Sequence, residues 1–261
     1  MTRYSSADFG FITVGPYNLT SVTNKLEDNI SKPAIESTPF GVTAPEYISG
    51  VLKSYELTGQ DGWYDDTTNS INTAMVDLAS GENVMILAPY GNAAPVAGVQ
   101  KTCIATDGVL KTEYKRSDAV GEYVKASFGV QVSGLVDQNA KLVCPLTARG
   151  VTGTTAAAYL NWGADGAAGG RVYLAVTNVN WGTRTSLQIT LQDCNTSGGV
   201  YADHTLFTAI VPATTPESTG TAEMKALANA TIQQYMGVTW TWAGGGAGAE
   251  SVTFAVAVVF D

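Results

Sequence analysis

The alternation of apolar and polar residues runs through most of the chain and predicts a mainly β protein. In the first half it predicts strands over residues 17–23, 52–64, 83–89, 99–106, 109–116 and 121–135. In the second half it predicts strands around residues 172–176, 187–191, 207, 238–242 and 252–260. The Asp-Gly pair at 107–108 favours a hairpin turn between its flanking strands. The glycine-rich segment 243–249 is predicted to join the last two strands as a second hairpin.

One segment departs from this alternation and predicts a single helix in the first half. Four apolar residues recur there at the spacing of one helix face: Ile71, Ala74, Met75 and Leu78. Asp66 and Thr67 precede this run, and both residue types favour a helix start through N-cap hydrogen bonds, with the carboxylate also opposing the helix dipole. We therefore expect the helix to begin at Asp66 or Thr67.

The loop before the long strand is more apolar than a solvated loop should be. It spans about residues 38–50 and is punctuated by prolines and glycines. Loops of this length in compact domains are usually functional or disordered. Its apolar residues are Phe40, Val42, Tyr47 and Ile48. Exposed apolar side chains favour a partner surface, so these four residues are the predicted contact between copies of the protein.

A shift in composition divides the chain into predicted domains. Residues 1–16, which end in Gly15-Pro16, predict an N-terminal arm. Residues 17–146 predict a β-sandwich or barrel with one packed helix, and residues 147–261 predict a smaller immunoglobulin-like β-sandwich. The first 146 residues hold 10 Lys+Arg and 16 Asp+Glu, a net charge of −6, whereas the rest hold 4 and 7, a net charge of −3. The second part is poor enough in charge to suggest a separate module.

The overall charge excludes some functions. A net charge of −9 argues against a protein that grips nucleic acid, since that requires a basic stripe. Only 14% of the residues are charged, which fits surfaces that are partly buried against other chains. The chain opens without an apolar run, and its longest apolar stretches fall well short of the ~20 residues of a membrane helix. We expect a protein made and kept inside a cell, at least initially, with no membrane partner.

Candidate chemistry is scarce. His204 is the single histidine, so a catalytic triad has one available base and a two-histidine zinc site is impossible. Cys103, Cys144 and Cys194 are widely spaced, and free buried thiols are the expectation for them. No nucleotide-binding or nucleophile-elbow motif occurs. The sequence therefore predicts no catalytic residues, no metal site and no cofactor.

Two groups of residues leave an alternative open. Asp61, Asp65, Asp66 and Asp77 form the one dense acidic group, which either caps the helix or forms a glycosidase pair or cation site. The second half is rich in aromatic residues, which either fill its core or form a platform for sugars. These are Tyr159, Trp162, Tyr173, Trp181, Tyr201, Tyr235, Trp240 and Trp242.

The order of these features resembles the major tail tube proteins of long-tailed bacteriophages. The resembling pieces are NLTSVT, the stretch IESTPFGVTAPEYISGVLKSYELTGQDGWYDD, the helix SINTAMVDLAS, the strand NVMILAPYGN, the segment TDGVLKTEYKR and the strand GEYVKASFGVQVSG. Within them, T-P-F-G leads through the loop to a strand that finishes in G-W-Y-D. The later half is similar to the C-terminal sandwich modules of some of these proteins, through LQITLQD, YADHTLFTAI and a closing Trp-rich segment.

This resemblance implies a structural virion protein that is not an enzyme. Residues 17–146 would form a tail tube domain that assembles as stacked hexameric rings, and residues 147–261 would decorate the exterior of the tube. The 38–50 loop and the N-terminal arm would reach an adjacent ring. The implied partners are further copies of the protein, a tape measure protein, tail terminator and tip proteins, and viral double-stranded DNA that crosses the lumen without specific binding. The protein would be assembled in the host bacterial cytoplasm and would reside in the virion tail.

Two other functions remain open at this point. The protein is alternatively another virion surface protein, in the capsid decoration or tail tip, that binds host carbohydrate through its C-terminal module. As an enzyme it would be a polysaccharide hydrolase that uses Asp65 and Asp66.

Overall fold

A computed structural model describes residues 9–31, 34–36, 47–49, 54–64, 70–77, 83–89, 91, 102–117, 123–134, 136–154, 160–161, 169–196, 199–227, 232–245 and 248–260. Within these ranges the chain is antiparallel β structure with one α-helix, so the predicted fold class is confirmed. In chain order, the first elements are β1 (Phe11–Val14), β2 (Tyr17–Asn18), β3 (Lys25–Ser31), β4 (Ala34–Glu36), β5 (Tyr47–Ser49), β6 (Ser54–Trp63), α1 (Ile71–Asp77), β7 (Met85–Ala88), β8 (Thr102–Thr106), β9 (Val109–Ser117) and β10 (Lys125–Val132).

The elements that follow are β11 (Val136–Arg149), β12 (Gly153–Thr154), β13 (Leu160–Asn161), β14 (Gly170–Asn180), β15 (Ser186–Cys194), β16 (Ala202–Leu206), β17 (Thr221–Leu227), β18 (Tyr235–Ala243) and β19 (Ser251–Phe260).

An eight-stranded sheet with the order β17-β14-β19-β11-β8-β7-β1-β2 forms the centre of the fold. Strand β11 pairs with β8 on one side and with β19 on the other. The boundary predicted at residues 146 and 147 therefore falls inside a strand, and residues from both predicted domains belong to one sheet.

This central sheet is curled. Strand β14 lies close to β7 across its concave face. Small residues let the strands on that face approach one another, and larger residues fill the remaining space. The buried concave core includes Ala105, Ala140, Ala175, Ala255, Ala257, Phe11, Ile86, Leu142 and Tyr173. Both halves of the chain contribute to it.

Two smaller sheets cover the convex face, one for each half of the chain. The first has the order β3-β6-β10-β9 and, together with α1, encloses a core that includes Leu57, Phe128 and Met85. The second is built around β12-β18-β15-β16 and encloses the core that includes Ile189 and Phe254. Each half is thus a sandwich whose inner layer is the shared central sheet.

Both predicted hairpins are wrong in their pairing, although their strands exist. Strand β8 lies in the central sheet and β9 in the smaller one, so the Asp107-Gly108 turn connects two layers. In the same way, β18 lies in an outer sheet and β19 in the central one. Alternation identifies a strand with one buried face, but it does not distinguish a neighbour in the same sheet from one across the core.

The predicted N-terminal arm is wrong for residues 11–14. These residues form β1, which pairs with β7 in the central sheet, and all four are buried. The strand is short and lies between Gly10 and Gly15-Pro16, so its sequence gives little periodicity to detect. Residues 1–8 lie outside the described residues.

Candidate assembly surface

Part of the predicted contact loop, Tyr47–Ser49, is the β-strand β5. Strands β4 and β5 pair with each other, with Ile35 opposite Ile48 and Glu36 opposite Tyr47. They lie between β3 and β6 in the chain, and those two strands also pair, down to Ser31 opposite Ser54. We call the paired strands β4 and β5 the β4–β5 hairpin. Phe40 and Val42, the other predicted contact residues, lie outside the described residues.

The helix beside this sheet has its N-cap at Ser70. The Ser70 hydroxyl accepts a hydrogen bond from the Thr73 backbone N–H at 3.1 Å, which satisfies one of the free donors of the first turn. Asp66 and Thr67, the predicted cap residues, lie outside the described residues. Serine is as good an N-cap as aspartate, and its position directly before Ile71 is the signal that the sequence offered for it.

Two tyrosines fasten this helix to the sheets. The Tyr114 hydroxyl of β9 donates to Asn72 Oδ1 at 2.9 Å. The Tyr17 hydroxyl of β2 hydrogen-bonds the Asp77 carboxylate. Burial, the hydrogen bond to Asp77 and the charge of Asp77 raise the pKa of Tyr17 above its ordinary value. Asp77 thus helps to hold the end of the helix against β2.

The outer face of the β3-β6-β10-β9 sheet is exposed and carries charges of both signs. Lys25 pairs with Glu27 at 2.5 Å along β3, and Lys115 pairs with Glu113 along β9. Glu56 lies exposed on β6 between these strands. The described part of this face is therefore neither an acidic wall nor a basic stripe.

The two ends of this sheet differ in charge. Strand β3 is one end strand and contains Lys25, Glu27 and Asp28, which sum to −1. Strand β9 is the other, and its charged residues sum to +2: Lys111, Glu113, Lys115 and Arg116. Among the described strands, each of these two pairs on one side and leaves the other edge open.

A buried polar cluster on the concave face joins the two halves. Asp137 of β11 accepts hydrogen bonds from Arg171 Nε at 2.8 Å and Nη2 at 3.0 Å, both on β14. The Tyr173 hydroxyl donates to the same carboxylate at 2.6 Å. Burial raises the pKa of Tyr173, and the bond to Asp137 raises it further. The sequence did not predict this cluster, because alternation with Val172 and Leu174 suggests that Arg171 and Tyr173 face solvent.

A second cation, the half-buried Arg149, donates hydrogen bonds to backbone carbonyls. The Arg149 guanidinium donates to the carbonyl oxygens of Pro145 at 2.8 Å, Thr147 at 2.6 Å and Phe254 at 2.9 Å. The pairing of β11 with β19 shifts register between Cys144 and Thr147. Such irregularities interrupt the ladder of hydrogen bonds, and Arg149 supplies donors there. Burial lowers its pKa.

The aromatic residues that the structure describes are mostly core. Trp181, Trp240 and Trp242 are all buried, and their indole N–H groups donate to backbone carbonyls at 2.8–2.9 Å. Tyr173 is also fully buried. The core interpretation is confirmed for these four residues, which removes them from a sugar platform. Tyr159 and Trp162 lie outside the described residues.

The structure also gives the surroundings of the cysteines and of the histidine. All three cysteines are free and buried, as predicted, and burial raises the pKa of Cys103 and of Cys144 to about 12. His204 lies in β16 with its Nδ1 3.0 Å from the Thr205 hydroxyl. The described residues include no cluster of His, Cys, Asp and Glu that could hold a metal ion. Asp65 lies outside them.

None of the helices in the described part of the chain is long and apolar enough to cross a membrane. No protein-family model matches the chain, and no curated protein matches it.

Solved structures with some similarity include chains of a gene transfer agent particle and a phage protein. A chain from the virion of a native gene transfer agent particle is 9% identical with a TM-score of 0.41, and the match covers 52% of this chain and 98% of that one. A chain from the tail of the empty particle, which has C6 symmetry, is 8% identical with a TM-score of 0.41, covering 53% and 100%. The SPP1 Dit (gp 19.1) protein is 10% identical with a TM-score of 0.34, covering 96% and 98%. All three TM-scores are below 0.5, so these likenesses carry no weight for function.

Proposed function

We propose that the protein is a structural subunit of a bacteriophage tail tube, which assembles as hexameric rings that stack into the conduit for DNA ejection. The observation that carries the proposal is the β3-β6-β10-β9 sheet. It has one packed face, one exposed face and an open edge on each end strand. Open edges are an aggregation liability unless they are paired, and closure of a barrel removes them. The sequence resemblance to tail tube proteins supports the same function.

The topology of this sheet suits head-to-tail closure. Its strands are antiparallel in succession, so β3 and β9 run in opposite directions. The β9 strand of one copy can therefore add to the β3 strand of the next as another antiparallel pair. A contact between two different edges is heterologous, and it forms a ring when the rotation closes.

The edge charges favour the same arrangement. A net −1 on β3 meets a net +2 on β9 in the head-to-tail contact. Pairing two identical edges would instead oppose like charges, which is unfavourable across an interface. The contact between rings is proposed for the β4–β5 hairpin, with Phe40, Val42, Tyr47 and Ile48 as its contact residues.

The other proposed partners follow from assembly of the protein as a tail tube. The second half of the chain would lie on the exterior, the lumen would hold a tape measure protein and then DNA, and terminator and tip proteins would close the ends. A face with both signs of charge lacks the basic stripe that would retain DNA. The tube would be assembled in the host cytoplasm and carried in the virion tail, and no enzymatic step is proposed.

Electron microscopy of the purified full-length protein tests this function. Six-fold rings or tubes are the expected result. Stable monomers at high protein concentration would overturn it, and binding of those monomers to host glycans would favour the carbohydrate-binding alternative.

A further inference from the structure

The strand register of the β3-β6-β10-β9 sheet shows which residues of its two end strands lie level with each other. We use the word row for directly paired residues that cross all four strands. One row runs from Glu27 through Thr58 and Gly129 to Glu113. The carboxylates at its two ends are exposed on the same face. A ring that joined β9 to β3 along continuous rows would oppose these two negative charges at every contact, which is destabilising.

A stagger between neighbouring copies removes this conflict. A displacement by an odd number of residues would exchange the packed and exposed faces of β9, so the displacement must be even. Closing a sheet into a barrel also requires its register to be staggered. A displacement by two residues in one direction places Lys115 of the neighbouring copy directly opposite Glu27, in place of Glu113.

The same displacement brings opposite charges together on the packed face of the sheet. Asp28 then lies opposite Tyr114 of the neighbouring copy. The packed-face positions on either side of Tyr114 are Lys111 and Arg116, which pair with the buried residues of β10. Diagonal neighbours on one face are within reach of long side chains, so two cations flank one carboxylate. Among the described residues, neither Asp28 nor Lys111 has an ion-pair partner within its own chain.

A displacement by two residues in the opposite direction satisfies fewer charges. It places Glu113 opposite Lys25 on the exposed face. On the packed face it places Val109 opposite Asp28, which leaves that carboxylate with Lys111 as its one cationic neighbour. The first direction is therefore favoured by the charges of both faces.

The open edge of β3 borders a groove of about 530 Å³ that this contact would cover. Leu26 and Asp28 line the groove from β3, and Leu87 lines it from the central sheet. Lysine and arginine pack their methylene stems on apolar surface and keep the charged end at a polar group, which fits apolar walls beside a carboxylate. Thr23 also lines the groove, and its buried hydroxyl has no hydrogen-bond partner among the described residues. Buried polar groups are normally satisfied, so the groove has an acceptor for a further donor.

We propose that β9 of one copy pairs with β3 of its neighbour in this staggered register, which places Lys115 opposite Glu27. Lys111 and Arg116 of the same β9 then flank Asp28 at the mouth of the groove. The strand that covers the groove is thus β9 of a second copy of this chain. The inference rests on the proposed function and adds the residues that set the register of the contact.

Charge reversal at Glu27 distinguishes this register from the unstaggered one. In the full-length protein, Glu27→Lys should raise the protein concentration needed for assembly by about fivefold, because a like-charge pair replaces an opposite-charge pair. An unstaggered register predicts a lower concentration, since the new lysine would face Glu113. Adding Lys115→Glu should restore assembly in the double variant. Glu56→Lys is the matched control, because Glu56 is exposed on the same face but lies on the inner strand β6, and it should change the concentration less than about twofold.

Asp28→Lys tests the packed face and should raise the concentration by more than Glu27→Lys does, since two cations flank that position. Circular dichroism and thermal midpoints establish that each variant folds. Either variant assembling at an unchanged or lower concentration, or a double variant as weak as Glu27→Lys alone, would overturn the register and leave the proposed function standing. A wild-type protein without rings or tubes would overturn both.

Discussion

Replacing Asp137 by asparagine tests whether the two halves of the chain depend on one core. Its carboxylate accepts three hydrogen bonds from β14, two of them from Arg171. The Asp137 and Arg171 side chains are only 10% and 20% exposed. Asp137→Asn would leave the guanidinium buried without its counter-charge, which typically costs about 3–5 kcal/mol. The free energy of unfolding of a native protein is typically about 5–15 kcal/mol, so this loss would be a large fraction of the total stability.

Urea unfolding gives the size of this loss, and hydrogen exchange shows where it falls. We expect amides of Phe11–Val14 and of Leu187–Leu191 to lose protection together, since the first segment belongs to the central sheet and the second to the outer sheet of the other half of the chain. Tyr173→Phe is the matched control, because it removes one hydrogen bond and leaves the ion pair, at a cost of about 1–3 kcal/mol. A loss below about 1 kcal/mol for Asp137→Asn, or loss of protection in the second half alone, would refute a shared core.

Two further perturbations follow from the same architecture. Truncation after residue 150 removes β14 and β19 from the central sheet and uncovers its concave core, which includes Phe11 and Ile86; we expect an insoluble or unfolded fragment, and a folded, soluble fragment by circular dichroism would contradict this. The hydrogen bond from Arg184 holds the pKa of Glu250 below its ordinary value, so its contribution to stability is present above about pH 4.3 and is lost as the pH falls through the lower folded-state pKa. Glu250→Gln should therefore lower the urea midpoint at pH 7 and reduce the loss of stability between pH 5 and pH 3. If the variant loses as much stability as the wild type between pH 5 and pH 3, Glu250 is not the cause of that loss.

The sequence identifies strands well because most of them have one buried face. Leu187, Ile189 and Leu191 are all buried on one side of β15, as their alternation predicts. The helix face is similarly confirmed for Ile71, Ala74 and Met75. Both patterns report a local period, and burial of one face is enough to impose it.

Long-range pairing could not be predicted in the same way. Strand β11 contributes residues such as Val143 to one core and Leu142 to another. Its residues 142–146 are therefore a continuous apolar run, which gives no sign of which strands flank it. The predicted domain boundary was placed on a change in charge density, and that change does not interrupt the hydrogen-bonded ladder. Alternation also predicts the wrong environment for Arg171. It places this residue on a solvated face of its strand, whereas that face is the covered concave face of the central sheet.

Cross-linking tests the proposed head-to-tail contact between β9 of one copy and β3 of the next. Asn29 on β3 and Thr112 on β9 are both exposed, and the three native cysteines are buried. The double variant Asn29→Cys and Thr112→Cys, treated with a bismaleimide in the assembled state, should give a ladder of covalent products that ends at six copies. Each single variant should stay monomeric on the denaturing gel. A double variant that also stays monomeric in intact assemblies, or a ladder that continues beyond six copies, would contradict a closed hexameric ring built through these edges.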